Sequence, residues 1–495
     1  MHLNKTVNIK HYLLILIMLL LLSGCGRIPD GDYAASVSLT GGSGKAYIQS
    51  PCSVTVTGGK AVADIIWSSS NYDYMIVDGK TYYPISTDNG SEFQIPVSFG
   101  KEMKVQADTT AMSTAHLIDY TLVFNIGDES DAPEEEVVVS GKTSDMAPVD
   151  IAGFTYISTD ENSFAKEYKI HRYDKDLLVI AVSDGRNYVV VPEGVEVSGI
   201  DAPDAFVIRK PLKSIYLAAS AVMCQFDSIG ALDRITLSGT KEEDWYIESA
   251  IAAMKKGSLI YGGKYSAPDY EMMMEKETDL AIENTMILHT PKVLEKLEKL
   301  GITTLIDRSS YEENPLGRLE WIKVYGALCD KEAEAESSFD EQRKLVQDID
   351  LTGVSGKSVA FFSLNSSHQI VTRKRNDYFV KMIEEAGGEY LAPDIESDEK
   401  SASSVTVSIE AFYDYAGDAD ILIYNGTIQD APKDLKALMD MDVTFKSFKA
   451  VQSGDVWASD KSLYQFTNKT GTIISDLYEV ITMGKEATEF FYKLK

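Results

Sequence analysis

Residues 279–306 read DLAIENTMILHTPKVLEKLEKLGITTLI, and the fold class turns on them. Positions 279–282 form a short apolar run of strand length. Thr290 and Pro291 open a helix that sets Val293, Leu294, Leu297 and Leu300 on one face, and Gly301 closes it. Positions 303–306 are apolar again. Strand, helix, strand in that order is the unit of a parallel sheet with covering helices.

The alternation continues in both directions. Upstream, a hairpin at 177–182 and 188–191 turns on Asp184-Gly185, and a strand at 214–218 leads into a helix reaching Gly230. Asp244 caps a helix over 245–256 that Gly257 stops. A strand at 259–261 and a helix at 268–276 follow. Downstream, 316–350 lacks proline and turn clusters, so it predicts one helix about 50 Å long. Strands at 358–363 and 420–424, a helix at 378–386 and a C-terminal helix at 473–495 resume the pattern. The expected architecture is a first α/β lobe (165–315), an interlobe helix (316–350) and a second α/β lobe (351–495). A cleft between such lobes is the default ligand site.

The front of the chain differs. Residues 33–126 carry short strand candidates separated by Gly58-Gly59 and Asp78-Gly79, turn pairs suited to tight hairpins. They predict an antiparallel β-sandwich. An acidic linker, 127–164, carries its densest charge before residue 150. Lys5 and Lys10 precede an apolar run too short to span a membrane, which marks 1–24 as a signal peptide. It ends Leu22-Ser23-Gly24-Cys25, which resembles a bacterial lipobox. That resemblance implies lipidation of Cys25 and an anchor on the outer face of the cytoplasmic membrane, in the extracellular setting of a Gram-positive cell.

Charge removes several function classes. The chain has 76 acidic against 47 basic residues, a net charge of −29, which argues against nucleic acid and against a basic patch on anionic lipid. Past Cys25 only Cys52, Cys224 and Cys329 remain, with no metal-ligand spacing, and six His argue against a zinc enzyme. No GxSxG, HExxH or GxxxxGK[ST] motif occurs. The expectation is a binding protein that is not an enzyme and requires no cofactor. An adhesin that uses the β-domain remains the competing class.

The stretches 237–247 (LSGTKEEDWYI), 261–270 (YGGKYSAPDY), 307–312 (DRSSYE) and 315–323 (PLGRLEWIK) resemble substrate-binding proteins of iron-siderophore, haem or cobalamin ABC importers. The resemblance covers about residues 165–495. It implies two α/β lobes bridged by one rigid helix, a ferric siderophore, haem or cobalamin as ligand, and an ABC permease with its ATPase as partners. More loosely, 67–80 (WSSSNYDYMIVDGK) and 120–124 (YTLVF) are similar to the near-iron-transporter (NEAT) β-domain, without the YxxxY pair of its haem-binding members.

In such lobes, ligand contacts come from loops at the carboxyl ends of strands. Those positions carry Trp245, Tyr246, Tyr265, Tyr270, Arg308 and Tyr311 in the first lobe, and Arg373, Lys374 and Arg375 in the second. Met112 and His116 are candidate iron ligands in the front domain. The resemblance also implies a permease-docking carboxylate on each lobe. Glu410 fits the helix-start pattern on the second lobe, and Glu295 is the first lobe's candidate.

Overall fold

The structure is a computed structural model that describes residues 31–41, 48–49, 52–87, 90–109, 116–125, 145–202, 205–354, 356–365, 368–394 and 404–495. Cys25 with its signal segment, Met112 and the acidic run 127–144 lie outside the described residues. The chain divides into two units, with the boundary between Ala132 and Pro133.

In the first unit, eight strands pair antiparallel throughout. Strand Gly31–Gly41 pairs through its first half with Cys52–Thr57 and through its second half with His116–Asn125. Burial alternates along Cys52–Thr57, so Cys52, Val54 and Val56 face inward, as a half-solvated strand requires. Trp67, Tyr72, Phe93, Tyr120 and Phe124 fill the core. The Tyr72 and Tyr120 hydroxyls bond each other at 3.1 Å, and burial raises the Tyr72 pKa. Strands Gly31–Gly41 and Glu102–Thr109 have no counterpart in the sequence reading, because their small and polar residues dilute the alternation signal.

The second unit begins with a five-stranded sheet: Tyr156–Thr159, Tyr168–Tyr173, Leu178–Val182, Asn187–Val191 and Ala205–Arg209. Strand Tyr156–Thr159 corrects the linker reading, since it lies inside 127–164 yet pairs with Tyr168–Tyr173. Its side chains are mostly exposed, so no apolar alternation announces it.

Next comes a fully parallel sheet ordered Ile260–Tyr261, Ile235–Ser238, Ile215–Leu217, Leu280–Glu283, Thr303–Ile306. Leu280–Glu283 is buried along its whole length, as a strand covered on both faces must be. The strand order reverses between Ile215–Leu217 and Leu280–Glu283, and such a reversal opens a crevice at the carboxyl ends. Gly257 closes helix Glu248–Lys256 in the left-handed conformation at φ 78°, a position that favours glycine. The last sheet is mixed, with Ile370–Arg373, Lys357–Leu364, Ile421–Tyr424 and Val456–Ser459 at its centre.

The single interlobe helix is a second correction. Residues 315–347 form three helices, Pro315–Glu320, Ile322–Cys329 and Glu332–Gln347. The second ends where Asp330 turns left-handed at φ 57°, a conformation Asp tolerates better than most residues. Lys210 reinforces the break, donating to Ala327 O at 3.2 Å and to Asp330 at 2.5 Å. No proline or glycine cluster marks this stop, so composition alone reads through it.

Helix Glu332–Gln347 packs on Ile322–Cys329 on one side and on Thr470–Tyr478 on the other. Gly471 makes the second contact possible, since a Cβ there would lie 2.1 Å from Gln342 O. Val346 and Phe466 pack against the cores of both lobes. The C-terminal helix is also shorter than expected: Thr470–Tyr478 passes through one wide turn, and the chain ends in strand Phe491–Lys493.

Candidate functional site

Two pockets meet at one arginine. The first, about 430 Å3, lies between the lobes, where Ala221 and Arg318 face Tyr378, Phe379, Met382, Leu463 and Tyr464. The second, about 470 Å3, is the crevice where the parallel sheet reverses. Ser220, Asn284, Thr285, Asp307, Ser309 and Ser310 line it, again with Arg318. These figures count open solvent, and the space left in each is about 30 Å3, room for a water molecule or two.

Arg318 is 7% exposed, and its guanidinium carbon lies 3.6 Å from the centroid of the Tyr378 ring. Stacking on an aromatic face suits the flat, delocalised cation. Across the cleft, Arg373 stands behind Tyr464. It donates to the Tyr464 hydroxyl at 2.6 Å and lies 3.6 Å from the Asp377 carboxylate. Asn425 also reaches that hydroxyl, at 3.4 Å. In the crevice, Asp307 accepts from the Ser309 N–H at 3.0 Å and its hydroxyl at 2.5 Å, and from the Tyr325 hydroxyl. Burial nevertheless raises its carboxyl above the usual range.

A clasp of two carboxylates fixes the helix that bears Arg318. Helix Pro315–Glu320 is capped by Asn314, whose side chain accepts from Leu316 N at 2.8 Å. Glu320 accepts from the N–H groups of Ser163, Phe164 and Ala165, each at 2.8 Å. Glu312 takes the next two, Lys166 at 2.8 Å and Glu167 at 2.9 Å, and the Trp321 indole at 3.0 Å. Five consecutive backbone donors are thus satisfied by two acids in a site closed to water. Charge-assisted bonds of this kind are the strong ones.

The lobes are tied across the first pocket by the segment that forms its wall. Gln465 accepts from Tyr246 N at 2.9 Å and donates to Asp244 O at 2.7 Å. Asn468 donates to the Ser228 hydroxyl at 2.8 Å.

The sequence candidates divide. Arg373 reaches the cleft wall through Tyr464, while Lys374 is half-buried and Arg375 exposed. Tyr246 is 43% exposed at the seam between the lobes. Trp245 is corrected to a core residue: it is 3% exposed and gives its indole N–H to Ser238 Oγ at 3.2 Å. It belongs to the apolar core of the first lobe. Tyr265 and Tyr270 pack against the core around Tyr216 and Met273, and neither lines the two pockets.

Arg308 turns away from the crevice to bond Glu167 at 3.1 Å and Ser183 at 3.0 Å, with Tyr311 stacked 4.1 Å from it. Glu410 is exposed in the first turn of a helix capped by Ser408. Glu295 sits mid-helix and pairs with Lys299 at 3.3 Å. In the first lobe, Glu271 is likewise exposed in the first turn of a helix, one capped by Asp269. Arg318 falls in the last turn of the short helix that Asn314 caps.

Glu283 ends the strand beside the crevice with no exposed surface, and neither carboxyl oxygen has a hydrogen-bond partner. Burial pushes its pKa well above the ordinary 4.5, so the folded chain favours the neutral acid. The unfolded chain gives up this proton first, so this group's share of stability is fully present below about pH 4.5 and falls as pH rises through the raised pKa. We expect Glu283→Gln to stabilise the protein by on the order of 1 kcal/mol at pH 8 and by much less at pH 5. Urea midpoints at the two pH values check this, and an equal gain at both would contradict a buried neutral acid.

Among the described residues, no group of three or more His, Cys, Asp and Glu side chains is placed to hold a metal ion. No helix among them is long and apolar enough to cross a membrane. Cys52, Cys224 and Cys329 are buried free thiols, and burial pushes the thiols of Cys224 and Cys329 up to about 12.

No protein-family model matches the chain. An uncharacterized lipoprotein of Methanocaldococcus jannaschii is 25% identical over 305 residues, 58% of this chain and 70% of that one. A Bacillus subtilis protein named as a candidate ABC transporter substrate-binding lipoprotein is 22% identical over 232 residues, 45% of this chain and 70% of its own. Among solved structures, a periplasmic binding protein of Veillonella parvula aligns at a TM-score of 0.46 and 15% identity, covering 66% of this chain and 99% of that one.

Proposed function

We propose that this chain is the substrate-binding component of an ABC importer, held to the membrane by lipid on Cys25. It captures an iron-containing ligand, a ferric siderophore or haem, between its lobes and delivers it to a permease. ATP hydrolysis belongs to the partner subunits. The observation that carries this reading is the pocket between two α/β lobes, walled by Tyr378 and Tyr464 and charged by Arg318. The similarity to lipoproteins, one of them named for this role, supports it. Docking through Glu410 and Glu271, one capped helix start on each lobe, suits a basic permease surface. We place Glu271 in this role ahead of Glu295, because Glu271, like Glu410, stands in the first turn of a capped helix and Glu295 stands mid-helix.

The test has two arms. Titration of Trp fluorescence with haem, a ferric siderophore and cobalamin should show one saturable quench. The double variant Glu271→Lys, Glu410→Lys should keep that binding unchanged while ligand uptake by cells falls at least about tenfold. Failure of all three ligands to bind would remove the ligand class. Undiminished uptake by the double variant would remove the docking model.

A further inference from the structure

Both carboxyl oxygens of Glu283 are buried without a hydrogen-bond partner, at the end of a strand buried along its whole length. A polar group so placed needs an explanation, because burying it unmet costs free energy. Its surroundings supply one. Side chains alternate along Leu280–Glu283. Leu280 and Ile282 join the core shared with helix Ile322–Cys329, whereas Ala281 joins the core around Tyr216, Met273 and Leu297. Glu283 therefore projects to the second side, the one that Tyr270 packs against. Tyr270 is half-buried, and burial, then the Glu283 charge, push its hydroxyl above the usual 10.

Tyr270 opens helix Tyr270–Glu275, in which Met273 is buried and Glu271 exposed. Six residues are too few to hold a helix by themselves, so its packing and its Asp269 cap must fix it. We propose, resting on the importer reading, that the proton on Glu283 latches this helix. While the acid is neutral, Tyr270 stays packed over it and Glu271 is held for docking; loss of the proton releases both.

The physical basis is the cost of a lone buried charge. In the packed arrangement nothing donates to an ionised Glu283, and burial raises its pKa well above 4.5. The phenols on this side are those of Tyr265, Tyr270 and Tyr216, whose hydroxyl donates to Gly263 O at 3.0 Å. The cations are Lys264, which precedes Tyr265, and Lys296, whose Nζ stands 5.8 Å over the Tyr270 ring. Asp307, past the end of the neighbouring strand, is bound instead to Ser309 and Tyr325. Swinging the Tyr270 ring outward gives the carboxylate access to water and to Lys296. Opening is then linked to one proton. In the open helix Glu283 titrates as an ordinary acid near 4.5, so above that pH the opening constant rises roughly tenfold per pH unit until the raised value is passed.

Hydrogen exchange of the full chain, read by mass spectrometry and corrected for intrinsic exchange, measures this constant for the peptide spanning Tyr270–Glu275. Opening of the parent should increase roughly thirtyfold from pH 5 to pH 6.5, and that of Glu283→Gln should stay level. Helix Ile409–Ala416 on the second lobe should respond to pH alike in both proteins. A level profile in the parent overturns the latch without any variant having to fold. A rise retained by Glu283→Gln overturns it as well. For the link to docking, Tyr270→Ala should keep ligand binding and lower uptake by cells about threefold or more, the cost of re-ordering a loosened turn. Tyr270→Phe keeps the ring and should match the parent. Uptake undiminished by Tyr270→Ala overturns that link. Absence of uptake by the parent itself counts against the importer reading, and the exchange profile then decides the latch alone.

Discussion

Replacing Glu320 with Leu should cost the folded chain about 4 kcal/mol, the loss expected when one member of a buried charged network is removed. The carboxylate has no exposed surface. Its absence leaves the N–H groups of Ser163, Phe164 and Ala165 without acceptors, and each unmet donor costs roughly 1–3 kcal/mol. Lys323 also loses a partner at 3.2 Å, although Glu336 at 3.0 Å retains it. Leu matches the shape and not the chemistry, so little is recovered. Glu320→Gln keeps one acceptor oxygen and should lose about half as much. Urea unfolding followed through Trp321, which the clasp also holds, reports the difference. A loss under about 1 kcal/mol for the Leu variant would mean that these bonds are worth no more than ordinary surface ones.

Gly471→Val should destabilise by about 3 kcal/mol or more, and by a different route. The missing Cβ is what lets helix Thr470–Tyr478 touch the backbone of helix Glu332–Gln347. Carbonyl, carbon and Cα of Gln342 would lie 2.1, 2.8 and 3.0 Å from an added Cβ. All three are main chain, so no rotamer change relieves the clash, and overpacking of this kind is destabilising. The same contact brings Gln342 Oε1 to the N–H and hydroxyl of Thr472, at 3.0 and 3.2 Å. It thus caps a helix start that no residue of that helix caps. Separating the helices breaks that cap too. Gly471→Ala should show about half the effect. Thermal unfolding and ligand affinity should both suffer, because Thr470 and Ile473 line the interlobe pocket. A Val variant as stable as the parent would falsify the close approach of the two helices.

These sites show where sequence reading reached and where it stopped. The strand–helix–strand unit at 279–306 carried its signals locally, in a proline at the helix start and a glycine just past its end. The break at Asp330 was invisible because its cause is remote: Lys210 binds the helix end from more than a hundred residues away. Trp245 misled for a related reason. A tryptophan at a strand-to-helix loop can face a cleft or a core, and only the packing around Ser238 decides it. Arg318 stood inside a quoted motif yet drew no role, since one arginine on a helix is unremarkable until two pockets converge on it. The basic triplet at 373–375 drew attention as a cluster. Its first member turns inward to Tyr464 and the other two do not, which composition cannot foresee.

The broken connector bears on how freely the lobes move. A single rod between lobes would leave them free to rock about its ends. Here helix Glu332–Gln347 is packed between helices of both lobes, and Gln465 and Asn468 stitch the seam again at the pocket. On the importer function proposed above, these ties make the site a socket rather than a jaw, with part of its ordering entropy already lost at folding.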